Sequence, residues 1–213
     1  MGEFSQTGEP LFKGLPPTQY DVILADPPWL YYGSPDKWAA AGKEYRLLSD
    51  EQIFQLPIQR LLAPNGILFL WATGPRLNSA LDCLTKWGLS YLGVAFVWVK
   101  TRQDGAIMGA SGVRPRIVKP TTEFVLAASR VSNRRPMPLA DESVAQVICD
   151  LGQGGEDSAG GVVFSSRGKH SEKPREVHTR IERLYPNARR LELFARSPAV
   201  GWDVWGNEIT TEY

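Results

Sequence analysis

Tyr20-Asp21-Val22-Ile23-Leu24-Ala25-Asp26-Pro27-Pro28-Trp29 holds a strand and its abrupt end. The apolar run over residues 20–25, with Pro16-Pro17 before it and Pro27-Pro28 after it, predicts a buried strand. Proline has a fixed φ and no N–H, so the pair cannot continue a hydrogen-bonded ladder. Asp26 is therefore expected at the carboxyl end of a buried strand.

Outward from that strand, short apolar runs alternate with helical spacing. Residues 50–63 carry Ile53, Leu56, Leu61 and Leu62 at helical intervals, with a bend expected at Pro57. Pro64-Asn65-Gly66 signals a turn before the strand Ile67-Leu68-Phe69-Leu70-Trp71. A helix is predicted from about Arg76 to Trp87 with Gly88 as its stop, and strands at 91–99 and 123–127. Weak helical spacing runs over 141–151, and the Gly-rich segment 152–161 reads as flexible. A short strand near 162–164, a helix from Pro174 to Pro186-Asn187 and a strand at 190–195 close the series.

This alternation predicts an α/β fold, a mostly parallel sheet with helices on both faces. Ligands of such sheets bind at the carboxyl ends of strands. A single domain over residues 1–213 is expected, with a flexible N-terminal stretch of about 15 residues. The loops near 101–120 and 130–161 are candidate substrate-binding insertions. Trp71, Trp87 and Trp98 sit in apolar surroundings and are expected in the core, whereas Trp29, Trp202 and Trp205 suit loops and pockets.

Composition narrows the function. Two cysteines without CxxC spacing and two histidines, His170 and His178, offer neither a disulfide framework nor a metal centre. No apolar run is long enough to span a bilayer and no signal-peptide pattern opens the chain, so a cytoplasmic protein is expected. The net charge of +1 neither demands nor excludes a nucleic-acid partner. Local charge says more. Lys100, Arg102, Arg114 and Arg116 fall in or beside a glycine-containing loop, a plausible phosphate clamp. Tyr31, Tyr32 and Trp38 follow the motif and suit base stacking or ordinary loop packing.

Asp26-Pro27-Pro28-Trp29 fits one chemistry closely. The exocyclic amine of a nucleobase is a weak nucleophile, because its lone pair is delocalised into the ring. Two acceptors aimed at its hydrogens orient that lone pair outward. The Asp26 carboxylate supplies one and a proline carbonyl the other, while Trp29 offers a face for base stacking worth about 1–3 kcal/mol. A rigid strand terminator is the plainer alternative. His178 is expected to be exposed on its helix.

Downstream, His170-Ser171-Glu172-Lys173-Pro174 opens the last helix, Leu191-Glu192-Leu193-Phe194-Ala195-Arg196 follows it, and Gly201-Trp202-Asp203-Val204-Trp205-Gly206-Asn207-Glu208 comes last. With Asp26-Pro27-Pro28-Trp29, these segments resemble the MT-A70 family of S-adenosylmethionine-dependent adenine-N6 methyltransferases, in its compact prokaryotic or phage-like branch. The resemblance implies a Rossmann-like methyltransferase fold that is circularly permuted, its amine-binding motif preceding its cofactor-binding strand. It implies that S-adenosylmethionine is held by Asp26, Lys173, Glu192, Phe194, Arg196, Asn207 and Glu208. DNA is the favoured substrate, with RNA methylation or a non-catalytic scaffold role as alternatives, and a homodimer or a heterodimer with a related subunit is implied. Cytosine-N4 enzymes usually carry Ser or Asn first and Tyr last in this tetrapeptide, which disfavours that reaction.

Overall fold

The computed structural model describes residues 12, 14–29, 47–102, 106–109, 117–132, 134–149, 163–164 and 173–206. Strand β1 (Tyr20–Ala25) forms as its apolar run predicts and lies inside the sheet, parallel to β2 (Leu62–Thr73) and to β7 (Arg190–Leu193). With β3 (Ser90–Val99), β4 (Thr122–Ser129), β5 (Val147–Cys149), β6 (Val163–Phe164) and β8 (Asp203–Trp205), the order is β6-β5-β3-β4-β2-β1-β7-β8. Every neighbouring pair is parallel except those made by β4, which runs antiparallel to both β2 and β3.

Strand side chains alternate between faces, which divides the core in two. Ile23, Leu68, Leu70 and Leu126 point to a first face, covered by α1 (Asp50–Phe54), α2 (Ile58–Leu61) and α3 (Leu77–Lys86). Val22, Leu24, Phe69, Trp71 and Val125 point to a second face, covered by α4 (Glu176–Leu184) through Val177 and Ile181. A helix as short as α4 is marginal alone. Burying Val177 and Ile181 contributes about 1.5–3 kcal/mol each and holds it in place. Helices thus cover both faces of a Rossmann-like sheet.

Local signals account for several element ends. Ser49 caps α1 in a reciprocal box with Gln52, and Gly88 follows α3 in the left-handed conformation at φ 67°. Among the described residues no helix is long and apolar enough to cross a membrane.

Four details differ from the sequence reading. Residues 50–63 form two short helices rather than one bent helix, because Pro57 starts α2 instead of continuing α1. The Pro64-Asn65-Gly66 turn lies within β2 as an irregularity between the pairings Tyr20↔Leu62 and Val22↔Ile67. Residues 141–149 hold a turn and β5, not a helix. The stretch pairs with β3 as β5, and buried Arg180 on α4 donates to the carbonyls of Ala145 and Val147. Residues 203–205 form the edge strand β8, beyond the strand at 190–195 expected to be the last.

Candidate active site

Asp26 follows β1, and its backbone N–H donates to the Leu193 carbonyl at 3.4 Å. Its side chain belongs with the second face. Lys173, just ahead of α4, donates through Nζ to Asp26 Oδ2 at 2.7 Å. Arg196 Nη2, beyond the end of β7, lies 3.9 Å from the same oxygen. The Lys173 ammonium is also 3.6 Å from Glu123 Oε2 and 5.2 Å from the Trp71 ring centroid. Glu123 pairs through Oε1 with Lys100, whose ammonium stands 4.9 Å from the Trp98 ring. Asp26, Lys173, Glu123 and Lys100 form a row of alternating charge, with Arg196 beside Asp26.

Glu123 reaches this edge because β4 is reversed. Its second residue is level with Thr73, the last of β2, and with Trp98 near the end of β3. Burial alone would push the Glu123 carboxyl up, but Lys173 and Lys100 outweigh it and hold it below the usual 4.5. Burial would likewise push the Lys173 ammonium down, yet Asp26 and Glu123 overcome this and raise it above its usual value. Both groups are charged at neutral pH.

Beyond Asp26 on the other side, Glu192 on β7 is level with Leu24 of β1 and Val204 of β8. Glu192 Oε2 lies 2.9 Å from His178 Nε2, and the His178 ring packs edge-on against Trp202 at 5.0 Å. Trp202 Nε1 in turn donates to Glu182 Oε1 at 2.7 Å. His178 is therefore largely buried between α4 and the sheet, not exposed as the sequence suggested. After β7 the chain turns sharply: Phe194 adopts a left-handed backbone at φ 63°, uncommon for a non-glycine residue. The Phe194 ring packs toward the first face, 5.7 Å from Trp205. The turn closes tightly on the end of β8, where a Cβ on Gly206 would come within 2.1 Å of the Ala195 carbonyl oxygen.

Trp29 lies on the opposite side of the sheet. It is 4% exposed and belongs to the first-face core. The Arg76 guanidinium stands 5.2 Å from its ring centroid and is ion-paired with Asp50 at the start of α1. The open stacking face expected of Trp29 is not there, because core side chains and Arg76 cover the indole. The Pro27 carbonyl accepts from Trp29 N–H at 2.8 Å and the Pro28 carbonyl from Leu48 N–H at 3.0 Å. Each carbonyl keeps a second lone pair.

Lys100, expected on the surface as a phosphate contact, turns inward to Glu123. Arg102 is exposed just beyond β3, next to the Thr101↔Ile107 bridge. Tyr31, Tyr32, Trp38, Arg114, Arg116, His170, Asn207 and Glu208 lie outside the described residues, as does the segment 152–161. Among the described residues no group of three or more His, Cys, Asp or Glu is placed to hold a metal ion. Glu123 was missed by the sequence reading. Its signal was a lone acid opening an otherwise apolar strand.

Residues 20–208 match the MT-A70 family as a whole. The chain belongs to the MT-A70 family. A relative described as Type II methyltransferase M.MunI, from a Mycoplasma species, is 32% identical over 216 residues, covering 93% of this chain and 82% of the relative. The human N(6)-adenine-specific methyltransferase METTL4 is 28% identical over 89% of this chain and 37% of its own length. The human N(6)-adenosine-methyltransferase catalytic subunit METTL3 is 28% identical over 90% of this chain and 28% of its own. The chain thus spans most of M.MunI, little more than a third of METTL4 and less than a third of METTL3.

Within this MT-A70 fold the second face offers a defined set of groups at the strand ends. Lys173 and Arg196 both address Asp26 through Oδ2 rather than Oδ1. Glu192 spends Oε2 on His178, so Oε1 is the oxygen available to a hydroxyl. The set comprises cations suited to a carboxylate, an acid suited to hydroxyls, and an acid suited to an amine.

Proposed function

We propose that this chain transfers the methyl group of S-adenosylmethionine to N6 of adenine in nucleic acid, with DNA as the polymer. The observation that carries the reading is Asp26 at the end of β1, gripped through one oxygen by Lys173 and flanked on the same face by Glu192. S-adenosylmethionine, when bound, supplies an electrophilic methyl group on a positively charged sulfur. Asp26 Oδ1 and the Pro27 carbonyl accept the two amine hydrogens and turn the N6 lone pair toward that methyl. The N6–C bond forms as the S–C bond breaks, and N6 then gives up a proton at the Asp26 carboxylate. The negative charge of Asp26 also favours the sulfonium beside it.

Lys173 and Arg196 are assigned to the carboxylate of the methyl donor and Glu192 Oε1 to its ribose hydroxyls. Asn207 and Glu208 are assigned to its ribose or adenine. His178 orients Glu192. Phe194 serves through its left-handed turn rather than its ring. Tyr31 and Tyr32 are assigned to the extruded base, and Arg102, Arg114 and Arg116 to phosphates. Proximity of β1 and β7, early and late in the chain, supports a permuted order of the amine and cofactor halves. The chain covers 82% of a Type II methyltransferase against 28% of an N(6)-adenosine-methyltransferase subunit, and adenosine is the ribonucleoside, which favours DNA over RNA.

The test is transfer of labelled methyl to DNA and RNA oligonucleotides of one sequence, followed by nucleoside digestion. N6-methyldeoxyadenosine from DNA is expected. Label confined to RNA would move the substrate, and label on cytosine N4 would overturn the reaction.

A further inference from the structure

Glu123 has no role in the amine-orienting scheme, yet it is 9% exposed and ionised between two lysines. Stability does not explain it. Ionic groups buried this way usually contribute no more than well-packed apolar residues of similar volume. Its placement is specific, however: Oε2 faces Lys173, and Lys173 faces Asp26.

We propose that Glu123 is a positioning residue for methyl transfer, one that shares the Lys173 ammonium with Asp26 and so keeps Asp26 a strong acceptor for the amine. The proposal rests on the methyl-transfer reading above. Lys173 has three donors and one charge to distribute. With Glu123 present, part of both is directed away from Asp26. Without it, the Lys173 ammonium is no longer divided between two carboxylates, and an acceptor that takes the whole of a cation's pull is weak toward a neutral N–H. Lys100 completes the device. It balances the Glu123 charge from the far side, over the Trp98 ring, so that Glu123 stays ionised without taking Lys173 entirely.

The reading places the effect in the chemical step and not in donor binding. Glu123→Gln keeps the shape and removes the charge. In single-turnover reactions at saturating donor, E123Q is expected to be slower by about tenfold or more, with the donor Kd within about twofold of the unchanged protein. Glu123→Asp should recover part of the rate. In a Lys173→Gln background, adding E123Q should cost less than about twofold further, since both act through one contact. Three results overturn the proposal: an E123Q rate equal to that of the unchanged protein, the same penalty in the Lys173→Gln background, or loss of donor binding together with a lowered melting temperature. Failure of the underlying reading looks different, because the unchanged protein would then methylate neither DNA nor RNA.

Discussion

Only two prolines separate Asp26 from Trp29, yet the sheet divides them. On the second face the end of β1 gathers Lys173, Arg196 and the buried Glu123 beside a partly open Asp26. On the first face it buries Trp29 under Arg76 and the core beside α1. One tetrapeptide thus contains a chemical half and an anchoring half. The prolines are what let it cross from one side to the other, since neither can be drawn into a continued strand. The aromatic residue of the motif is conspicuous in sequence, but its geometry is that of a bolt.

The sharpest way to break this division is Asp26→Ala. The rate of methyl transfer should fall by about a hundredfold to a thousandfold, the range for losing a preorganised charge at a reacting centre. Single-turnover assays and a melting curve on the same sample check it, and full activity would sink the chemical assignment of the second face. Trp29→Ala attacks the other half, and is expected to cost about 3–5 kcal/mol of folding stability. Should urea unfolding show no loss while the rate collapses, Trp29 acts on substrate and the division between faces is false.

Smaller effects sharpen the comparison. Glu192→Gln should weaken donor affinity by about tenfold, the scale of one hydrogen bond to a charged group. Calorimetric titration measures this, and unchanged affinity would remove Glu192 from the donor site. The least effect concerns pH. Glu123 titrates below its usual 4.5 in the fold, so its stabilising contribution is complete above 4.5 and lost as pH falls through the lower folded value. The melting temperature should therefore drop on acidification in that window, and E123Q should flatten the drop. Lys173 works at the opposite end, its contribution complete below 10.5 and lost only as pH rises through its raised value.

Much of this was legible in the sequence. The apolar runs at 20–25, 67–71, 91–99 and 123–127 all became strands, because strands this apolar need little beyond their own residues, even where Tyr91 and Leu92 stay exposed. Val177 and Ile181 marked the buried stripe of α4 for the same reason. The direction of β4 was not legible, since a strand's residues do not encode whether its neighbour runs with or against it. Residues 141–149 misled because their partners, β3 and the Arg180 side chain, lie some 30 to 50 positions away. In the site, Asp26, Lys173 and Arg196 were named from motifs, and the fold brings them together. Glu123 and His178 were not, because each depends on register and packing rather than on any local pattern.

The reversal of β4 also carries a lesson for transplanting such a site. A parallel strand offers a binding edge the residue where it finishes; this one offers the residue where it begins. A designer who copied the Asp26 motif onto an all-parallel scaffold would reproduce β1, β2 and β7 faithfully and leave no address for Glu123. The graft would have to import the turned strand along with the loop.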